Sequence, residues 1–222
     1  MRKLYHYPLC AFCRLIRIYL KEKNLDHELI IDLPWKRKNV FSGHHVLSDL
    51  PTLVDLDGTV LEGWYAIVEY MEQSYRANSL LGVTQKEKAE SRRIVILFNE
   101  MFFADVTKNI VFEKVMKKHV EHSAPDSTCI RKGYDGIKKY LDYISSLMDH
   151  RNWLAGDEFS LADIAAASQV SCVDYMGSIK WEAYPNVKDW YVRIKSRPSF
   201  RDILLDKVAN MTPPNYYQEL DF

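Results

Sequence analysis

The sequence has no excess of charge: 30 lysine and arginine residues are matched by 30 aspartate and glutamate residues, for a formal net charge of zero. Neutrality gives no overall attraction to phosphate backbones or anionic lipid, so nucleic acid and membrane surfaces are not expected partners. Long apolar runs are missing too. No stretch approaches the roughly 20 residues of a membrane span, and Met1 to Tyr7 lacks the apolar segment of a signal peptide. A cytoplasmic protein with no membrane span is expected. Cysteine is scarce, with only Cys10, Cys13, Cys129 and Cys172. These are too few and too irregular for a disulfide scaffold, and there is no second close pair to complete a zinc site, so no metal is expected. Internal repeats and low-complexity runs are also absent. What is present is a 222-residue chain, 47% apolar, long enough to bury about 70% of its unfolded surface without staples.

The first third alternates short apolar runs with helical spacing. Leu4 to Tyr7 reads as a strand ending at Pro8, and Phe12, Leu15, Ile16, Tyr19 and Leu20 fall on one face of a helix that Asn24 can stop. Leu29-Ile30-Ile31 is a second strand, giving a right-handed βαβ unit. Thr52-Leu53-Val54 and Thr59-Val60-Leu61 flank Asp57-Gly58, a hairpin turn signal, and a helix from about Tyr65 to Tyr75 follows. The order βαβ then ββα is that of a thioredoxin-like fold. We place a first domain at 1–76, a linker at 77–85, an all-helical second domain at 86–210 and a tail at 211–222. In the second domain two long helices carry Ile94 to Phe102 and Ile130 to Met148, separated by a polar stretch of 14 residues, Lys117 to Ile130, that holds Pro125. Pro185 and Pro198 mark further helix starts.

Cys10-Ala11-Phe12-Cys13 sits where the first strand hands over to the first helix. Unpaired amides and the helix dipole stabilise a thiolate there, so Cys10 reads as a nucleophile and Cys13 as its resolving or buried partner; the plainer reading is two small apolar fillers. Leu50-Pro51 precedes a strand, where a cis peptide would turn the backbone of Leu50 outward to pair with an extended peptide; the residues alone leave both isomers open. Ser160-Leu161-Ala162-Asp163 is a capping box that fixes a helix start, a structural role. His44-His45 has no metal-ligand spacing on a helix. Lys36-Arg37-Lys38 and Lys117-Lys118-His119 are short basic runs that read as solvated faces.

Leu50-Pro51 in a thioredoxin-like domain, Trp153 to Asp157, Phe159 to Ala165 and the closing Arg197-Pro198-Ser199-Phe200 together resemble the glutathione S-transferase superfamily. That resemblance spans nearly the whole chain. It implies a homodimer, a cis Leu50–Pro51 peptide, and a cleft in which Cys10 acts through sulfur while Leu50 pairs with the cysteinyl part of glutathione. Tyr5 to Leu9 and the tail Pro213 to Phe222 further resemble a branch of the superfamily in alphaproteobacteria that binds filaments of the division protein FtsZ. In that branch the C-terminal end is part of the filament-binding surface, which implicates Tyr216, Tyr217, Leu220, Asp221 and Phe222, with Trp35 as an exposed aromatic near the groove. On physics alone, two or three aromatics repay ordering a short tail on its own domain.

One departure bears on chemistry. The family's acid–serine pair, which holds the γ-glutamyl end of glutathione, falls at Gly63-Trp64 in the register set by Ala66-Ile67. Losing a charged and a hydroxyl contact costs about 2 to 5 kcal/mol, enough to turn a micromolar ligand millimolar. The segment His45 to Asp49 before the proline is altered as well. We therefore expect weak or absent glutathione binding, no required cofactor and an FtsZ-binding role, with a Cys10-dependent glutathione transferase or thiol oxidoreductase as the alternative.

Overall fold

The computed structural model describes residues 1–36 and 50–222. Strand β1 (Arg2–His6), helix α1 (Ala11–Glu22) and strand β2 (His27–Ile31) form the βαβ unit, with β1 and β2 parallel and Leu4 paired with Leu29. The hairpin of β3 (Thr52–Val54) and β4 (Val60–Glu62) adds antiparallel strands, giving the order β2-β1-β3-β4. Gly58 takes φ 87 at the hairpin, the left-handed backbone that glycine adopts without penalty. Arg2, Leu4 and His6 of β1 are buried while Lys3 faces solvent, the period of two expected of a strand. Helix α1 ends where Asn24 turns left-handed at φ 54.

Helix α2 (Trp64–Ser74) closes the sheet half, and Glu72 ties it to α1 by accepting from Tyr19 Oη at 2.7 Å and Lys23 Nζ at 3.2 Å. Beyond it all longer elements are helical: α3 (Gln85–Ile96), a continuing stretch Leu97–Met116, α4 (Lys117–Val120), α5 (Ser127–Met148), α6 (Leu161–Tyr175), α7 (Pro185–Lys195) and α8 (Pro198–Leu204). Leu97–Met116 is wound to the wider i→i+5 spacing, and at its end the Lys117 amide reaches the Phe112 carbonyl. All of α6 is buried, which makes it the central post of the helical half. Its start is fixed by Asp163, which accepts from Ser160 N at 3.0 Å, Leu154 N at 2.9 Å and Trp190 Nε1 at 3.0 Å.

The polar stretch expected between the two long helices is shorter than its composition suggests. Helix continues through Val120 and resumes at Ser127, so 121–126 alone form the turn. Lysine and histidine there mark solvent exposure rather than a break. Glu113 secures the turn by pairing with Lys117 at 2.9 Å and accepting from Asp126 N at 2.7 Å, and Asp126 caps α5 by accepting from Thr128 N at 2.7 Å.

Candidate functional site

A cleft of ≈ 760 Å³ opens between the sheet half and the helical half, and Cys10, Leu50, Gly63 and Trp64 all line it. Cys10 is the N-cap of α1, half-buried, with Sγ 4.0 Å from the Leu50 carbonyl oxygen. Its thiol is held below the ordinary value, first by the Cys13 side chain and then by the amides of Cys13 and Phe12 and the charge of Arg14. Cys13 is pushed the other way by burial and by Cys10, and its Sγ accepts from Tyr7 N at 3.5 Å. Burial raises Tyr7 to about 12 and Cys172 to about 12, so both stay protonated at neutral pH. All four cysteines are free thiols.

The Leu50–Pro51 peptide is cis. The Pro51 carbonyl accepts from Gly63 N at 2.9 Å, tying the end of β4 back to the cis proline. Gly63 sits at φ 79, and Trp64 opens α2 with its ring stacked on Phe12 at 6.4 Å between centroids. Phe12 in turn packs on Phe103 at 4.7 Å. At Gly63 and Trp64 themselves the chain presents neither a carboxylate nor a hydroxyl, while the Glu62 side chain lines the cleft one residue earlier.

Trp35 forms a lid rather than a free surface aromatic. Its ring stacks on His119 of α4 at 4.6 Å and meets Tyr7 edge-on at 5.3 Å, bridging the two halves. Arg37, Lys38, His44, His45 and the rest of the segment up to Asp49 lie outside the described residues.

The tail folds back on its own chain. Tyr217 is 0% exposed and its hydroxyl accepts from Arg14 at 3.1 Å, so this expected partner contact is instead an interior residue. Tyr216 stacks with Phe222 at 5.4 Å, and Phe222 packs edge-on against Trp181 at 5.4 Å with Lys195 Nζ 3.9 Å from its ring. Leu220 and Asp221 remain exposed.

Several residues that shape the site drew no attention in the sequence. Arg14 is fully buried and donates to Pro8 O at 2.7 Å and Ser171 Oγ at 2.9 Å, with Asp206 3.7 Å away. Asn99 and Thr107 also line the cleft. A signal for Asn99 existed: it falls at i+4 from Val95 and i−3 from Phe102, on the apolar face of its helix. Among the described residues, no group of three His, Cys, Asp or Glu side chains could hold a metal ion, and no helix is long and apolar enough to cross a membrane.

Residues 4–79 match the family model described as "Glutathione S-transferase, N-terminal domain" and residues 103–198 match "Glutathione S-transferase, C-terminal domain". Among curated proteins, FtsZ-localized protein A of Caulobacter vibrioides is 35% identical over 100% of this chain and 98% of that protein. Among solved structures, FzlA of C. crescentus superposes with a TM-score of 0.94 at 35% identity, covering 100% of this chain and 99% of that one. A glutathione S-transferase of Rhodospirillum rubrum F11 superposes at 0.95 with 43% identity over 100% of both chains. With both halves of the fold matched and a relative of this identity aligned end to end, the chain belongs to the glutathione S-transferase family.

Proposed function

We propose that this protein is a non-catalytic or weakly catalytic adaptor that binds FtsZ filaments during bacterial cell division. The observation that carries this reading is the 35% identity, across its entire length, to a protein named for its localisation to FtsZ. The Gly63–Trp64 replacement supports it, because it removes the grip on glutathione that catalysis in this family requires. Exposed Leu220 and Asp221 at the end of a docked tail are the contact residues, presented by the anchors Tyr216 and Phe222. The protein works in the cytoplasm, where its free thiols are stable.

A homodimer is part of this reading. Glu69 of α2 and Arg92 of α3 pair at 3.3 Å, which sets the faces of these helices side by side. Tyr65 lies one turn before Glu69 and Ile96 one turn after Arg92, and both are largely exposed, a patch suited to a two-fold partner.

Co-sedimentation with polymerised FtsZ tests the function. The full chain is expected in the pellet, and a variant lacking 219–222 is expected to stay in the supernatant while keeping its circular dichroism and melting temperature. Tyr217 is retained in that variant because Arg14 needs it. Failure of the full chain to pellet would sink the reading; pelleting of the truncated chain would remove the tail from it. A second reading is a glutathione S-transferase or glutathione-dependent thiol oxidoreductase acting through Cys10, favoured by its lowered thiol at a helix start.

A further inference from the structure

The Cys13 thiol is used by neither reading of the function. It stands third in α1 and Cys10 is the N-cap of the same helix, so the two sulfurs share its first turn, and their side chains are in hydrogen-bond contact. Alpha carbons three residues apart on a helix are about 5 Å from each other, inside the span that a disulfide bridges. Access to the two differs. Cys10 is half-buried and lines the cleft, whereas Cys13 is 0% exposed. A substrate in the cleft therefore meets Cys10 first, and Cys13 reacts only with what Cys10 has already taken.

Ionisation follows the same order. Cys10 is the readier thiolate, while Cys13 is held protonated by burial, by its hydrogen bond to Cys10 and by the Cys10 charge. The last two vanish once Cys10 is bonded to another sulfur. Arg17 and the Tyr7 amide, which donates to Cys13 Sγ at 3.5 Å, then favour the Cys13 thiolate. Cys172 also feels the Cys10 charge, but it is raised by burial and its Sγ is turned to the Leu9 carbonyl at 3.6 Å. We propose that this protein carries out glutathione-independent exchange with small-molecule disulfides, Cys10 attacking and Cys13 resolving. In the first step the Cys10 thiolate bonds to one sulfur of the substrate, the substrate S–S bond breaks, and the departing thiolate takes a proton from water. In the second, Cys13 gives up its proton and attacks Cys10 Sγ, and the other half of the substrate leaves with that proton. The substrate gains two electrons and becomes two thiols; the pair loses two and becomes a disulfide, which an external dithiol reduces again. The proposal rests on the part of the second reading in which Cys10 reacts through sulfur, and it removes the need for glutathione.

The reduced full chain, incubated with bis(2-hydroxyethyl) disulfide, blocked with iodoacetamide, digested with trypsin and weighed by mass spectrometry, tests this. Tryptic peptide 4–14 carries both cysteines. It is expected to be unlabelled and two hydrogens lighter than its reduced form, and dithiothreitol should restore the reduced mass. In Cys13→Ala the same peptide should instead hold a hydroxyethylthio adduct at Cys10, and in Cys10→Ser it should hold neither bridge nor adduct. A lasting adduct at Cys10 of the unaltered chain, or a bridge from Cys10 to Cys172, overturns the proposal and leaves the reactive Cys10 standing. An unaltered chain in which Cys10 takes neither bridge nor adduct sinks both. Should Cys13→Ala fail to fold, the unaltered chain alone decides.

Discussion

Cys10 shows how much one position in a fold can set reactivity. At the N-cap of α1, with Cys13 and two amides directed at its sulfur, the thiol ionises more easily than a free cysteine, while Cys13 and Cys172 are pushed up by burial. Alkylation by iodoacetamide is therefore expected to label Cys10 ahead of the two buried thiols, with a rate midpoint below pH 9.0. Cys10→Ser should abolish that fast phase, and a midpoint at or above 9.0 would remove the second functional reading. Gly63 makes the complementary point. An added Cβ there would meet nothing within 4 Å, so space does not exclude a side chain; φ 79 does, at a cost of about 1–2 kcal/mol for an L-residue. An acid restored at this position would begin with that penalty. The Cys10 and Ser160–Asp163 motifs were legible in the sequence because each is a local pattern. Arg14 was not, because its partners Ser171 and Tyr217 lie far along the chain.

Among the elements, the tail is the most informative. Lys195 of α7 is buried against the Phe222 ring and sits 3.5 Å from the Tyr216 carbonyl, facing Asp174 of α6, Glu219 of the tail, and Tyr191 and Lys188 of its own helix. Burial lowers Lys195 to about 8, and burial raises Asp174 to about 6. As pH rises through about 8 the ammonium loses its proton and the cation–ring contact with it. Amide exchange at 218–222, corrected for its intrinsic pH dependence, is expected to speed up between pH 7 and pH 9. In Lys195→Gln it should be fast at both; a tail whose protection does not change across that range would refute the role of Lys195. The sequence identified these aromatics as able to dock but not where, since the receiving surface of Trp181, Tyr191 and Lys195 is assembled from separate elements. The βαβ unit and hairpin were readable because strand period and turn residues are local signals. Helix through 117–120 was missed because exposed helix and exposed loop share a polar composition.

For the whole molecule, acid is the sensitive side. His6 is buried on β1, and burial, then Arg17 and His27, lowers it from 6.5 to about 3. The unfolded chain therefore binds the extra proton between about 3 and 6.5, and stability is lost as pH falls through that window, by on the order of 5 kcal/mol in full. Urea midpoints should drop between pH 7 and pH 5 more in the unaltered chain than in His6→Leu, and parallel drops would rule His6 out. Arg14 binds the two halves more deeply than any surface pair. Its partners Ser171 and Tyr217 lie 157 and 203 residues further along the chain. At roughly 5 to 20 residues per second of synthesis, the first helix waits about 10 to 40 s before Tyr217 is made. Through that interval the Arg14 guanidinium stays hydrated at the face of the sheet half, and it is buried only when the helical half arrives. A graft joining this first half to a foreign helical half would keep that arginine paired only if Ser171, Asp206 and Tyr217 travelled with it.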